Sequence, residues 1–221
     1  MKHKALLLLI PALLLVLAGC ESGARIKFFN RCSYPIYVRV ADGGEVAIPA
    51  NGNQAFEVET GTQTIFTGTL YEEVPIHLVG ETYQIYDDNE LAYTDSTSMD
   101  IQIGKTQSVY IDPNRASIKI VNNSNRKITS AEIYRNNFVS SIRVGNLTDI
   151  EAGQMRYTHV NYSVPVDSNV QPWVPTPATR YYYFVVLYDE DGNSYTFGDE
   201  TNILYKDQQF LVNFTTGPLT K

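Results

Sequence analysis

The sequence predicts an all-β protein of two tandem antiparallel β-sandwich domains. They are immunoglobulin-like or transthyretin-like in size and related by an internal repeat. Three observations predict this. Short stretches alternate apolar and polar residues, as half-buried strands do. Turn-forming pairs, Gly43-Gly44, Asn51-Gly52 and Asp191-Gly192, recur between them. After Ala24 no stretch sustains a helical stripe with caps, and Thr129 to Asn136 fits a helix or a strand equally well.

Residues 1–19 stand apart from this pattern. Lys2 and Lys4 precede an apolar run from Ala5 to Ala18, broken only by Pro11. The run has the length of a signal-peptide core and is short for a retained spanning helix. It ends on Leu17-Ala18-Gly19-Cys20, where two small residues let the chain lie extended before a cysteine. This pattern resembles the lipobox of bacterial lipoproteins. The resemblance covers residues 1–20 alone and implies cleavage before Cys20 and lipidation of its thiol. Two or more acyl chains anchor a protein stably where one does so only marginally. Residues 20–23 then read as a lipidated tether; Glu21 to Ala24 fully extended span about 14 Å. Glu21 stands where an aspartate favours inner-membrane retention in proteobacterial lipoproteins, so the resemblance points to the outer membrane of the cell envelope.

Two units follow, 24–114 and 115–217. Ala24-Arg-Ile26-Lys27-Phe28-Phe29-Asn30 parallels Ala116-Ser-Ile118-Lys119-Ile120-Val121-Asn122, an offset of 92 residues. Later landmarks are offset by 102: Ile48 with Ile150, Pro75 with Pro177, Tyr86 with Tyr188. The second unit therefore carries about ten extra residues before Ile150. Ile36 to Val40 and Ser194 to Phe197 read as strands, as does the aromatic run Tyr181 to Tyr188. Asp112-Pro113-Asn114-Arg115 is a short join.

Charge narrows the partners. Without residues 1–19 the chain holds 15 basic against 24 acidic residues, a net −9. Phosphate backbones repel such a chain, so nucleic acid is excluded as a partner. Cys32 is the one thiol besides Cys20. It has no disulfide mate and reads as a small buried hydrophobe.

Candidate sites are few. Gln171-Pro172-Trp173-Val174-Pro175-Thr176-Pro177 holds the only tryptophan in a proline-stiffened loop. Trp173 either displays its indole to a ligand or plugs the edge of a core. In Tyr181-Tyr182-Tyr183 alternate rings face opposite ways. Trp173, Tyr181 and Tyr183 are the candidate ligand-binding residues. Asp189-Glu190-Asp191-Gly192 has the acid density of a calcium loop, but its Asp-Gly step predicts a hairpin turn. His77 and His159 are isolated, and neither a metal-ligand spacing nor a nucleophile motif occurs. No catalytic residue, metal or cofactor is expected. The expectation is a non-enzymatic lipoprotein acting as an interaction or accessory module, with an envelope protein or glycan as partner. The alternative is a carbohydrate-binding module that uses Trp173 and exposed tyrosines.

Overall fold

A computed structural model describes residues 21–63, 70–164 and 180–215, and among them there is no helix. The chain divides into two compact units. Unit 1 runs to Arg31 and adds Pro35–Val79 and Ile85–Ile111; unit 2 is Asp112 onward together with Cys32–Tyr34 and Gly80–Gln84. Its makeup therefore departs from a simple cut near residue 114. Two short pieces of the first half belong to unit 2. One of them carries Glu81, whose buried carboxylate receives Lys119 Nζ at 2.7 Å and Gln209 Nε2 at 2.6 Å.

The first half holds β1 (Glu21–Asn30), β2 (Ile36–Val40), β3 (Val46–Ile48), β4 (Asn53–Gln63), β5 (Tyr71–Gly80), β6 (Tyr83–Asp87), β7 (Ala92–Thr94), β8 (Ser96–Gln102) and β9 (Thr106–Ile111). One sheet has the order β4-β1-β9; the other has β3-β2-β5-β6-β7, with β8 also on β5. β1 pairs antiparallel with β4 and parallel with β9. A parallel neighbour needs a long crossover. Here the intervening strands supply it by forming the second sheet.

Residues 21–23, expected as a tether, are instead the start of β1. Glu21 and Ser22 pair with Gln63 and Thr62, and the register shifts before Ala24. Gly23, at φ 75°, accommodates that bulge without ending the strand. Both sheets bury one face: Ile26, Phe28, Val58 and Ile111 from the first; Ile36, Val38, Ile48, Val74, Ile76 and Leu78 from the second.

The remaining strands belong to unit 2: β10 (Ala116–Asn122), β11 (Ile128–Asn136), β12 (Ser141–Ile150), β13 (Met155–Val160), β14 (Tyr182–Asp189), β15 (Ser194–Phe197) and β16 (Gln209–Phe214). The ambiguous stretch Thr129–Asn136 is thus strand. Sheet orders are β13-β10-β16 and β12-β11-β14-β15. β10 pairs antiparallel with β13 and parallel with β16. Ile118, Ile120, Val212 and Phe214 from one sheet and Ile128, Ile133, Val185 and Leu187 from the other join one buried cluster. That is sandwich-like packing of two layers.

Two turns are held by buried asparagines. Asn30 Nδ2 donates to the carbonyls of Ile48 and Pro49 at 3.1 and 3.0 Å. Asn122 Nδ2 donates to those of Ile150 and Arg126 at 2.9 and 2.7 Å. Backbone bonds run from Asn30 N to Gly52 O and from Asn122 N to Gln154 O.

Gly198 sits at φ 91°, where an added Cβ would stand 2.8 Å from Tyr183 O and 3.0 Å from the Phe210 ring. Gly198→Ala is expected to cost about 2 kcal/mol through strain and overpacking, read as a lower Tm. Cys32 is 1% exposed. Burial, with Asp207 adding to it, pushes its pKa up to about 12. In a thiol-reagent assay the native chain should leave Cys32 unmodified and the urea-unfolded chain should react fully. Modification of the folded protein would contradict its burial.

Candidate interaction surface

The four-stranded sheet of unit 2 has an outer face, and alternation decides what stands on it. β14 is buried at every second residue. Tyr183, Val185 and Leu187 point into the core, while Tyr182, Phe184, Val186 and Tyr188 point away. On β11 the ladder places Tyr134 opposite Phe184 and Asn136 opposite Tyr182. The Tyr134 and Phe184 rings stack, with centroids 5.0 Å apart and planes 5° apart. Tyr182 meets Phe138 edge to face at 5.3 Å. The Arg180 guanidinium lies 5.5 Å over the Phe138 ring.

Polar groups border these rings. Glu132 Oε2 accepts from the Tyr134 hydroxyl at 2.7 Å, and Oε1 accepts from Arg143 Nη1 at 2.7 Å. The Tyr134 hydroxyl first, then Arg143, lower the Glu132 pKa. The result is a ridged aromatic surface with a fixed carboxylate. In unit 1, Phe29 stacks on Tyr110 at 4.9 Å and Arg31 covers Tyr110 at 4.2 Å, a smaller surface of the same kind.

The two tyrosines expected to bind ligand do not reach this surface. Tyr183 is 1% exposed and Tyr181 8%. The Tyr183 hydroxyl donates to Asn161 O at 2.6 Å and the Tyr181 hydroxyl to Tyr162 O at 2.7 Å. Burial pushes both phenols up. They are core residues with satisfied hydroxyls, and their rings meet edge to face. The outward residue of the triplet is Tyr182. Alternation alone could not orient the run, because both parities of residues 181–188 are apolar or aromatic. Trp173 and its loop lie outside the described residues, as does Cys20.

The acidic segment at Asp189 forms the turn from β14 to β15. Gly192 takes φ 81° and its N–H donates to Asp189 O. Asp189 Oδ1 accepts from the N–H groups of Asp191 and Asn193, at 3.0 and 2.8 Å. Its Oδ2 accepts from Arg126 Nη1 at 3.0 Å and the Tyr195 hydroxyl at 3.1 Å. These oxygens are committed to protein donors. Among the described residues no group of three or more His, Cys, Asp or Glu side chains gathers as a metal site.

His159 Nε2 lies 2.6 Å from Gly80 O and its ring packs on Tyr157. His77 lines an open cleft of about 420 Å3 in unit 1, with Arg39, Asp42, Ser96 and Thr97. Ser96 Oγ is 3.4 Å from Nδ1 and Glu45 Oε2 is 3.9 Å from Nε2.

No family model matches this chain, and no curated protein matches it. Solved structures with related traces are distant. The tip fimbrial protein Mfa3 of Porphyromonas gingivalis is 10% identical over 90% of this chain and 96% of its own, with a TM-score of 0.33. A DUF3823 family protein of Bacteroides ovatus is 10% identical over 86% of this chain and 98% of its own, with a TM-score of 0.23. The TIE protein of Bacillus anthracis is 8% identical with a TM-score of 0.27; this chain covers 34% of its length. At such values the likeness carries no argument about what this chain does.

Proposed function

We propose that this chain is a bacterial envelope lipoprotein, anchored in the outer membrane by lipid on Cys20, that acts as a non-enzymatic interaction module. The observation that carries the interaction role is the outward aromatic face of unit 2: Tyr134, Phe184 and Tyr182 stand on the sheet, edged by Arg143 and Glu132. Rings on a sheet lose little conformational entropy when a partner covers them. Asp189 and His159, by contrast, are bonded within the fold. The Leu17-Ala18-Gly19-Cys20 pattern supports the anchor.

In this reading the units are tandem sandwich domains that arose by duplication. Matched bonding supports it. Asn30 with Ile48 O corresponds to Asn122 with Ile150 O, at the residue offsets read from sequence. The flanking of β1 by β4 and β9 corresponds to that of β10 by β13 and β16. Fractionation of a bacterial host tests the anchor. The chain should sediment with membranes, resist salt extraction and leave with detergent, whereas Cys20→Ala should be released from membranes by high salt alone. A parent chain released by salt alone would overturn it.

A glycan is the second reading, favoured by the flat Tyr134–Phe184 pair beside the Glu132 carboxylate. Sugars stack on such rings and bond to fixed polar groups. Glycan-array binding should then be lost in Phe184→Ala; an array on which the parent binds nothing removes this reading.

A further inference from the structure

The hairpin joining β11 to β12 ends in an apolar tip. Val139 is 92% exposed and Phe138 49%, with Ile142 and Val144 also exposed. Hydrogen bonds shape the tip: Asn137 Oδ1 accepts from the N–H groups of Val139 and Ser140 at 3.1 and 2.8 Å, and Asn136 Oδ1 accepts from that of Phe138 at 2.6 Å. Phe138 adopts φ 69°, a conformation that a bulky residue takes at a cost. Its half-exposed ring recovers little of that cost by burial. Strain kept at an exposed aromatic points to use rather than to folding.

Among the described residues, charge at this end of the sheet is opposite to that of the protein. Residues 133–148 and 180–188 contain Arg135, Arg143 and Arg180 and not one acid, in a chain with 24 acidic residues. The nearest carboxylate on these strands is Glu132, bonded to Arg143. The residues stand in layers: Val139 outermost, then Phe138 under Arg180, then Tyr182 against Phe138. Apolar tip, amphipathic ring and cationic collar are the sequence of groups that suits a bilayer interface. The exposed Leu91, also at positive φ, stands beyond Asp87, Asp88 and Glu90 and lacks this charge match. Nor is the tip shared by both halves. β2 and β3 have five and three residues, whereas β11 and β12 have nine and ten. The longer hairpin accounts for the change of offset between Asn122 and Ile150.

We propose that the Phe138-Val139 tip inserts into the surface of a membrane containing anionic lipid, with Arg180, over the Phe138 ring, on the headgroups and with Arg135 and Arg143 of the same hairpin adding positive charge behind it. This contact is separate from lipidation, and its test omits Cys20. The chain from Glu21 on contains every strand found among the described residues. It should co-sediment with vesicles of phosphatidylcholine and phosphatidylglycerol, and much less with phosphatidylcholine alone or at high salt. Val139→Asp, at a site too exposed to affect folding, should weaken binding roughly tenfold or more. Phe138→Asn should weaken it similarly while leaving Tm equal or higher, because asparagine tolerates this φ. Parent-like binding by both variants would overturn the proposal. So would retention on immobilised heparin without vesicle binding, which would assign the collar to an anionic glycan. Failure here leaves the Cys20 anchor standing, and failure of the anchor leaves this contact standing.

Discussion

Replacing Asp189 with alanine is expected to destabilise the protein by about 4 kcal/mol, measured by urea unfolding. The Asp189 side chain is fully buried and paired with Arg126, which also reaches Asp191 at 2.7 Å. Removal leaves the N–H groups of Asp191 and Asn193 and the Tyr195 hydroxyl without their acceptor. Burial by itself would raise the carboxyl's pKa. Hydrogen bonds from Asn193, Arg126 and Tyr195 outweigh it and hold the group well below the usual carboxylate range. A depressed folded pKa stabilises the fold above the unfolded value, near 3.9, and the contribution is lost as pH falls toward the folded one. Asp189 should therefore contribute a constant stability from neutral pH down to about pH 4 and progressively less below it. Asp189→Asn should flatten that acid limb. An alanine variant as stable as the parent would remove this network from the account.

Asn122→Ala should cost about 3 kcal/mol in the same assay. Asn122 is 0% exposed. Its amide satisfies two carbonyls, and its Oδ1 accepts from Ser124 N at 3.1 Å and Ser124 Oγ at 2.6 Å. Alanine leaves buried donors and acceptors on two loops without partners. Asn30→Ala removes two carbonyl contacts in unit 1 and should cost about 2 kcal/mol. A negligible loss at both positions would show that the turns are set by their backbones alone.

These asparagines also mark how far the sequence could be read. The all-β class was legible because Ile36 to Val40 and Ser194 to Phe197 alternate, and Asp191-Gly192 marks the hairpin between β14 and β15. The matched openings ending on Asn30 and Asn122 were visible as a spacing. Their burial and bonding were not, because asparagine in a sequence speaks for a surface turn. The lipobox marks Cys20 and not where the fold begins, so residues 20–23 read as a tether although Gly23 serves as a bulge inside a ten-residue strand. Tyr181 and Tyr183 were assigned to a surface because alternation gives two faces without saying which one meets the core. Only pairing across β11 orients them. The Phe138-Val139 tip carried one unused signal, the acid-free stretch with its arginines.

The proposed anchor requires that Cys20 become the lipidated first residue of an exported protein. Intact-mass spectrometry of the chain purified from bacterial membranes tests it most directly. The expected species starts at Cys20 and is heavier than its sequence by a diacylglyceryl group and one acyl chain, and Cys20→Ala should yield no such species. An unmodified mass, or a chain that retains residues 1–19, would contradict it.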